Sequence, residues 1–323
     1  MRRVFISWAV AFAVLLGGFA ITVVALNATL YSSSGFVDTY LSALARHDAA
    51  SARELPGVVA SEDSAANLLV DDALGDLSEI ELVGKDVDSD GVHTLDYEYN
   101  AGGVLGESSF RVVQTGAFLG LFPTWEFESS PLATVAVTVL HDERFRVNAV
   151  DLTTDDQPTE SGGFLVFTPG LYSFDHESTY LDADEVAVPI SEPGSVTAVQ
   201  VNVQANNYFT EQVDAELREF LDGCATQEVL LPTGCPFGKG FENRIDTAPA
   251  WSIASYPDVE VIPGDEVGDW LVPQTPAAAH LSVEVQSLFD GTRTQFDEDV
   301  PFTVSYAISI DTNDQLFISA LFG

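Results

Sequence analysis

Residues 4–26 read VFISWAVAFAVLLGGFAITVVAL, 23 positions without a charge. As a helix rising ~1.5 Å per residue this stretch reaches about 34 Å, enough to cross a hydrocarbon core of about 30 Å. Arg2 and Arg3 precede it, and the first acidic residue of the chain, Asp38, follows it. Positive charge is retained on the cytoplasmic side. The pattern therefore predicts a single-pass plasma-membrane anchor over residues 1–31, running from Val4 to Leu26 with Trp8 near one interface, and the bulk of the chain outside the cytoplasm. The alternative is a cleaved secretory signal, whose apolar region runs ~7–15 residues before a small-x-small site. Here the run is longer, and the nearest such site, Val23-Val24-Ala25, lies within it. Both readings place the remaining chain outside.

The rest of the 323 residues is too long for one ordinary core and ample for two or three. Apolar content of 46%, with 21 Phe, argues for folded modules and against a disordered stalk. The charge is extreme: 50 acidic against 12 basic residues, a net −38. Such a field repels nucleic acid and anionic headgroups and favours cationic ligands or basic protein surfaces. The competing reading is solvation alone. Cys224 and Cys235 are the only 2 cysteines. In an outward-facing chain they predict one disulfide, closed around the turn Pro232-Thr233-Gly234. A zinc site would need further ligands, and no His lies near the pair.

Helical spacing marks Gly35–His47, with Phe36, Tyr40, Leu44 and Val37, Leu41 on neighbouring rows, then a short helix over Asp48–Leu55 and a further one over Ser64–Leu77. From Ile80 the period becomes two. IELVGKDV and VHTLDYEYN flank Ser89-Asp90-Gly91 as a hairpin, followed by strands in ESSFRVVQT and PTWEFESS. Residues 131–206 carry short alternating runs and turns at the spacing of a small β-sandwich. Tyr208–Gly223 returns to helix, and strands at WSIASY, VEVI, DWLVP, HLSVEVQSLF, PFTVSYAISI and QLFISALF end the chain. The expected fold class is thus α+β and β: one N-terminal transmembrane helix, then two helix-plus-curved-sheet modules, 32–130 and 207–323, flanking a β-sandwich at 131–206.

The helix FVDTYLSALARHDAASA followed by a curved meander resembles the NTF2-like fold of extracytoplasmic domains, with cystatin-like helix-on-sheet packing. FLVFTPGLYSF, with Phe164, Phe167, Pro169, Gly170 and Tyr172, is similar to the β-domains of TcaA-type envelope proteins of Gram-positive bacteria. CATQEVLLPTGCPFG, from Cys224 to Gly238, resembles the C-terminal module of secreted or anchored actinobacterial proteins. The resemblance implies an envelope protein outside the membrane.

Asp86, Asp88, Asp90 and Gly91 match the first half of an EF-hand loop, in which acids at positions 1, 3 and 5 wrap a hard cation. The match ends at Tyr97, where position 12 requires a bidentate Glu. This makes the trio a candidate for low-affinity calcium, with a solvated hairpin tip as the other reading; no other cofactor is indicated. The five histidines, His47, His93, His141, His176 and His280, form no metal-binding spacing, and neither G-x-S-x-G nor a P-loop occurs. Tyr97, Tyr99, Asp96 and Trp125 are the residues that would line an NTF2-like pocket, yet alternation puts the two tyrosines and Asp96 on opposite faces. The function expected is a non-enzymatic, membrane-anchored binding protein of the envelope whose partner is a protein, peptide or cell-wall component. The alternatives are an accessory subunit packed against integral-membrane subunits, with Gly17-Gly18 allowing close helix approach, and a pocket enzyme.

Overall fold

The computed structural model describes residues 2–61, 63–157, 162–311 and 315–321. The chain forms two compact units. The first comprises Met1–Thr138, Arg144–Asp175 and Glu185–Val201; the second comprises Val139–Glu143, His176–Asp184 and Asn202–Gly323.

In the first unit, helix α1 (Arg2–Ala28) is followed by α2 (Ser33–Ala45) and α3 (Ala49–Arg53). The serine cluster starts α2: Ser32 Oγ accepts the Gly35 N–H at 3.0 Å, the usual device for an unpaired first-turn donor. Val37, Tyr40, Leu41 and Leu44 then form one buried stripe. This stripe packs on an antiparallel meander, β1 (Leu77–Val87), β2 (Val92–Ala101), β3 (Val104–Phe118) and β4 (Phe122–Phe127), in the order β1-β2-β3-β4. Strict alternation along β2 buries Leu95, Tyr97, Tyr99 and Ala101. Tyr40 is wholly buried, and its hydroxyl lies 2.8 Å from the Thr168 carbonyl and 3.0 Å from that of Pro131. At Gly57, φ is +84° and a Cβ would collide with the Phe127 backbone, so only glycine fits where the chain passes β4.

Strands β5 (Leu132–Leu140), β6 (Arg144–Val147), β7 (Val150–Thr153), β8 (Phe164–Phe167), β9 (Gly170–Glu177), β10 (Leu181–Ile190) and β11 (Val196–Asn202) follow. They form sheets with the orders β11-β5-β8 and β10-β9-β6-β7. All four residues of β8 are buried, the mark of a strand covered on both faces. The helix expected over Ser64–Leu77 is reduced to a single 3-10 turn, Asp71–Ala73. Ala65 instead donates to Gly163 O at 2.8 Å and accepts from Leu165 N at 2.7 Å, which holds the backbone extended beside β8.

The second unit opens with β12 (Gln204–Ala205), paired with Leu181 and Asp182 at the start of β10, and α4 (Asn207–Ala225). Asn206 caps α4, and Phe209, Val213, Leu217 and Leu221 recur every four residues along its buried face. Strands β13 (Arg244–Ile245), β14 (Ala250–Ser255), β15 (Ile262–Pro263), β16 (Asp269–Gln286), β17 (Arg293–Ile310) and β18 (Leu316–Ala320) build one antiparallel sheet. Its main path is β13-β16-β17-β18, and β14 and β15 also pair with β16. DWLVP and HLSVEVQSLF, read as two strands, are one. Pro273 is accommodated where the β16–β17 register shifts between Val272 and Thr275, and Pro276 pairs opposite Thr303. Cys224 and Cys235 are bonded, with an S–S distance of 2.02 Å. They tie the end of α4 to the following loop, a closure that contributes about 3 kcal/mol in the chain-entropy model.

This architecture corrects the expected fold class. The chain is mostly β, with 47% strand and 20% helix arranged in multiple sheets and a half-barrel, in place of an α+β layout of two NTF2- or cystatin-like modules flanking a small sandwich behind a transmembrane helix. Among the described residues no single helix is long and apolar enough to cross a membrane. Phe12–Ala28 meets that test only together with Ser33–Ala45, from which it is bent by 58°. The proposed anchor residues Val4, Trp8 and Leu26 do lie on α1. The end of that helix, however, belongs to the folded unit: Asn27 Nδ2 donates to Leu121 O at 2.8 Å, and the Tyr31 ring stacks obliquely on Phe122 at 4.5 Å.

Candidate binding groove

The sequence-derived site residues occupy separate places. Asp86 is the penultimate residue of β1 and Asp90 sits at the tip of the β1–β2 hairpin, both exposed. Asp88 is occupied as a turn acceptor, taking the Asp90 and Val92 N–H groups at 2.9 and 3.0 Å, and it faces Arg111 at 3.8 Å. No group of three or more His, Cys, Asp or Glu that could hold a metal ion occurs among the described residues. Asp88 thus serves a hairpin turn that Gly91 closes with φ +82°.

Tyr97, Tyr99 and Trp125 point into the first unit's core, where the aromatic rings of α2 and β3 fill the face of the sheet. Asp96 points away from it and accepts from Ser109. The Tyr97 hydroxyl donates to Asp38 at 2.7 Å; burial and that carboxylate hold it protonated far above the ordinary phenol range. His93 bonds Ser33 Oγ at 2.9 Å beside Trp125, and burial together with nearby Lys85 lowers its pKa. These contacts fasten α2 to β2.

The second unit carries open, concave surface on both sides of β18. On one side, α4 and the sheet enclose a cavity of about 340 Å³ lined by Val213, Leu217, Phe220, Tyr306, Ile318 and Ala320, with Glu216 at its margin. Phe220 stands off the buried stripe of α4 and is 37% exposed. Beyond Ala320 the surface continues into a second hollow of about 540 Å³ between the disulfide loop, at Cys235–Gly238, and the part of β17 that β18 leaves uncovered. Tyr306 borders both spaces. The residue is 8% exposed, its hydroxyl makes no hydrogen bond among the described residues, and desolvation raises its pKa to about 12. A neutral phenol whose hydroxyl opens to solvent beside apolar surface is equipped to bind a polar group brought by a ligand.

On the opposite face of the same strands lies a trough of about 680 Å³. Asp265, Glu266 and Asp269 border one side of it, and Phe317 and Leu321 border the other. No Lys, Arg or His lines any of these three spaces. Three of the four Lys and Arg of this unit are engaged elsewhere: Arg218 pairs with Asp214 at 2.7 Å, Arg293 pairs with Asp246 at 2.9 Å, and Lys239 lies over Phe296; the fourth, Arg244, starts β13.

No protein-family model matches this chain, and neither a curated protein nor a solved structure does. The groove around β18 is the candidate site. Sequence reasoning missed it, because β18, α4 and the 264–269 loop are distant in the chain. In the sequence Phe220 reads with Leu221 as part of the apolar stripe of α4, and the structure instead leaves it 37% exposed.

Proposed function

We propose that the protein is a non-enzymatic binding protein that works outside the cytoplasm, in the cell envelope, and holds a basic protein or peptide segment in the groove around β18. The observation that carries this reading is the lining itself: apolar surface with the Tyr306 phenol on one face of β18, carboxylates on the other, and no cation among the lining residues of either space. A chain of net −38 attracts such a partner at long range and excludes polyanions. The Cys224–Cys235 disulfide supports the compartment, since such bonds persist in oxidising surroundings. The resemblance of the Cys224–Gly238 stretch to secreted actinobacterial proteins points the same way. The apolar surface of α1, where Phe12, Leu15 and Ile21 are each more than half exposed, serves as the tether that retains the protein at the envelope.

A photo-crosslinking side chain in place of Phe220, in the full chain and its native cells, tests this. The expected product is a stoichiometric partner that disappears when Asp265, Glu266 and Asp269 are changed to Asn, Gln and Asn. A partner indifferent to that triple substitution, or none, overturns the reading. The accessory-subunit alternative rests on the exposed α1 surface. It predicts crosslinks to an integral-membrane protein from Leu15 and none from Phe220.

A further inference from the structure

β18 is the last strand of its sheet: among the described residues it pairs only with β17. Its ladder can be assigned in detail. Leu321 N donates to Ser305 O at 2.8 Å and Asp311 N donates to Gln315 O at 3.0 Å, which brackets the hydrogen-bonded pairs of the antiparallel register. Such pairs alternate with non-bonded ones. Phe317 and Ser319 therefore spend their backbone groups on β17, while Leu316, Ile318 and Ala320 turn theirs to the open side. The edge is flat: the β17–β18 register runs without a bulge from Tyr306↔Ala320 to Ile310↔Leu316. The edge strand of the first unit is different. Strand β1 carries two register shifts, a positive φ at Glu79 and the charge of Lys85, all devices that discourage edge pairing.

We infer that β18 takes an added strand: an extended peptide in which apolar and basic residues alternate. This deepens, and rests on, the proposed binding role of the groove. Successive side chains of a strand point to opposite faces. Beside β18, one face leads to the cavity under α4, with Leu217, Phe220 and the free Tyr306 hydroxyl. The other leads over Phe317 into the trough bordered by Asp265, Glu266 and Asp269. An alternating peptide thus directs apolar groups into the first space and lysine or arginine to the face of the sheet that carries the trough's acids, which attract it across Phe317 without direct pairing, while its backbone satisfies Leu316, Ile318 and Ala320. A second copy of this chain is disfavoured as the occupant, because two bodies of net −38 repel and the trough would receive no cation.

The test uses the full chain in ~0.15 M salt and fluorescence anisotropy with a labelled heptapeptide of alternating leucine and lysine. Two control peptides accompany it. One has the same composition in blocks, and one is N-methylated at every second residue so that one edge donates no hydrogen bonds. The expected result is saturable binding of the alternating peptide, weakened about tenfold or more by N-methylation or by blocking the pattern. Phe220→Asp should also weaken it, whereas Ile318→Pro, which removes one outward N–H, should do so if the variant folds. N-methylation leaves the protein untouched, so a misfolded variant does not confound the result. Equal binding of all three peptides overturns strand addition yet leaves an electrostatic groove. Binding that survives both N-methylation and Phe220→Asp overturns strand addition at this site. Absence of binding by any peptide overturns the basic-partner reading as well. A dimer in sedimentation that the peptide fails to dissociate assigns the edge to self-association and also overturns the proposal.

Discussion

At the scale of single residues, the first unit depends on groups that no local rule marks as special. Tyr40 reads as one member of an apolar helical row, yet its hydroxyl reaches the carbonyls of Pro131 and Thr168, more than ninety positions away in the chain. Gly57 reads as a helix stop after Pro56. Its actual constraint is steric, because any Cβ at φ +84° meets the backbone of Phe127. Changing Gly57→Ala is expected to cost about 1–3 kcal/mol, combining an unfavourable backbone region with a displaced strand. A urea titration of the variant checks this, and an unchanged midpoint would remove the steric account. Asp88 shows a different case, a residue that fits a metal loop by type and whose carboxylate accepts the Asp90 and Val92 N–H groups of the turn.

At the scale of elements, the β16–β17 hairpin shows why a strand can hide. The stretch Arg293–Asp299 is charged and exposed and carries little strand signal, yet it pairs in register with His280–Gln286. Part of that pairing is electrostatic. His280 bonds Asp299 at 2.8 Å and Asp297 at 3.2 Å across the ladder, and these two carboxylates raise its pKa above the ordinary imidazole value. The stabilisation is fully present below the unfolded pKa of about 6.5 and is lost as pH rises through the higher folded value. A histidine NMR titration should place the His280 midpoint above that of an unpaired imidazole, and Asp299→Asn should bring it down. An unaltered midpoint in the variant would show the pair to be inert. The helices were more legible. The rows of α2 and α4 are amphipathic in sequence, and both helices form within two residues of the positions their spacing marks.

At the scale of the whole molecule, several buried phenols share one titration behaviour. Tyr40, Tyr97, Tyr172 and Tyr306 all have pKa values raised, chiefly by desolvation. Above about pH 10 the unfolded chain loses phenolic protons that the folded chain keeps, so stability must fall with rising pH. Urea unfolding at pH 8 and at pH 10.5 should show a lower midpoint at the higher pH, and tyrosinate absorbance should appear together with unfolding. Equal midpoints would show these phenols to be accessible. The sequence by itself determined the acidic field, the two amphipathic helices, the β1–β2 hairpin and the disulfide, because charge, periodicity, turn chemistry and a lone cysteine pair are local or compositional properties. Tertiary structure decided the mostly-β architecture, the bend that follows the apolar helix, and the groove around β18. Those features depend on which distant strands share an edge and which side chains meet across it, and a linear pattern of residue types does not encode that.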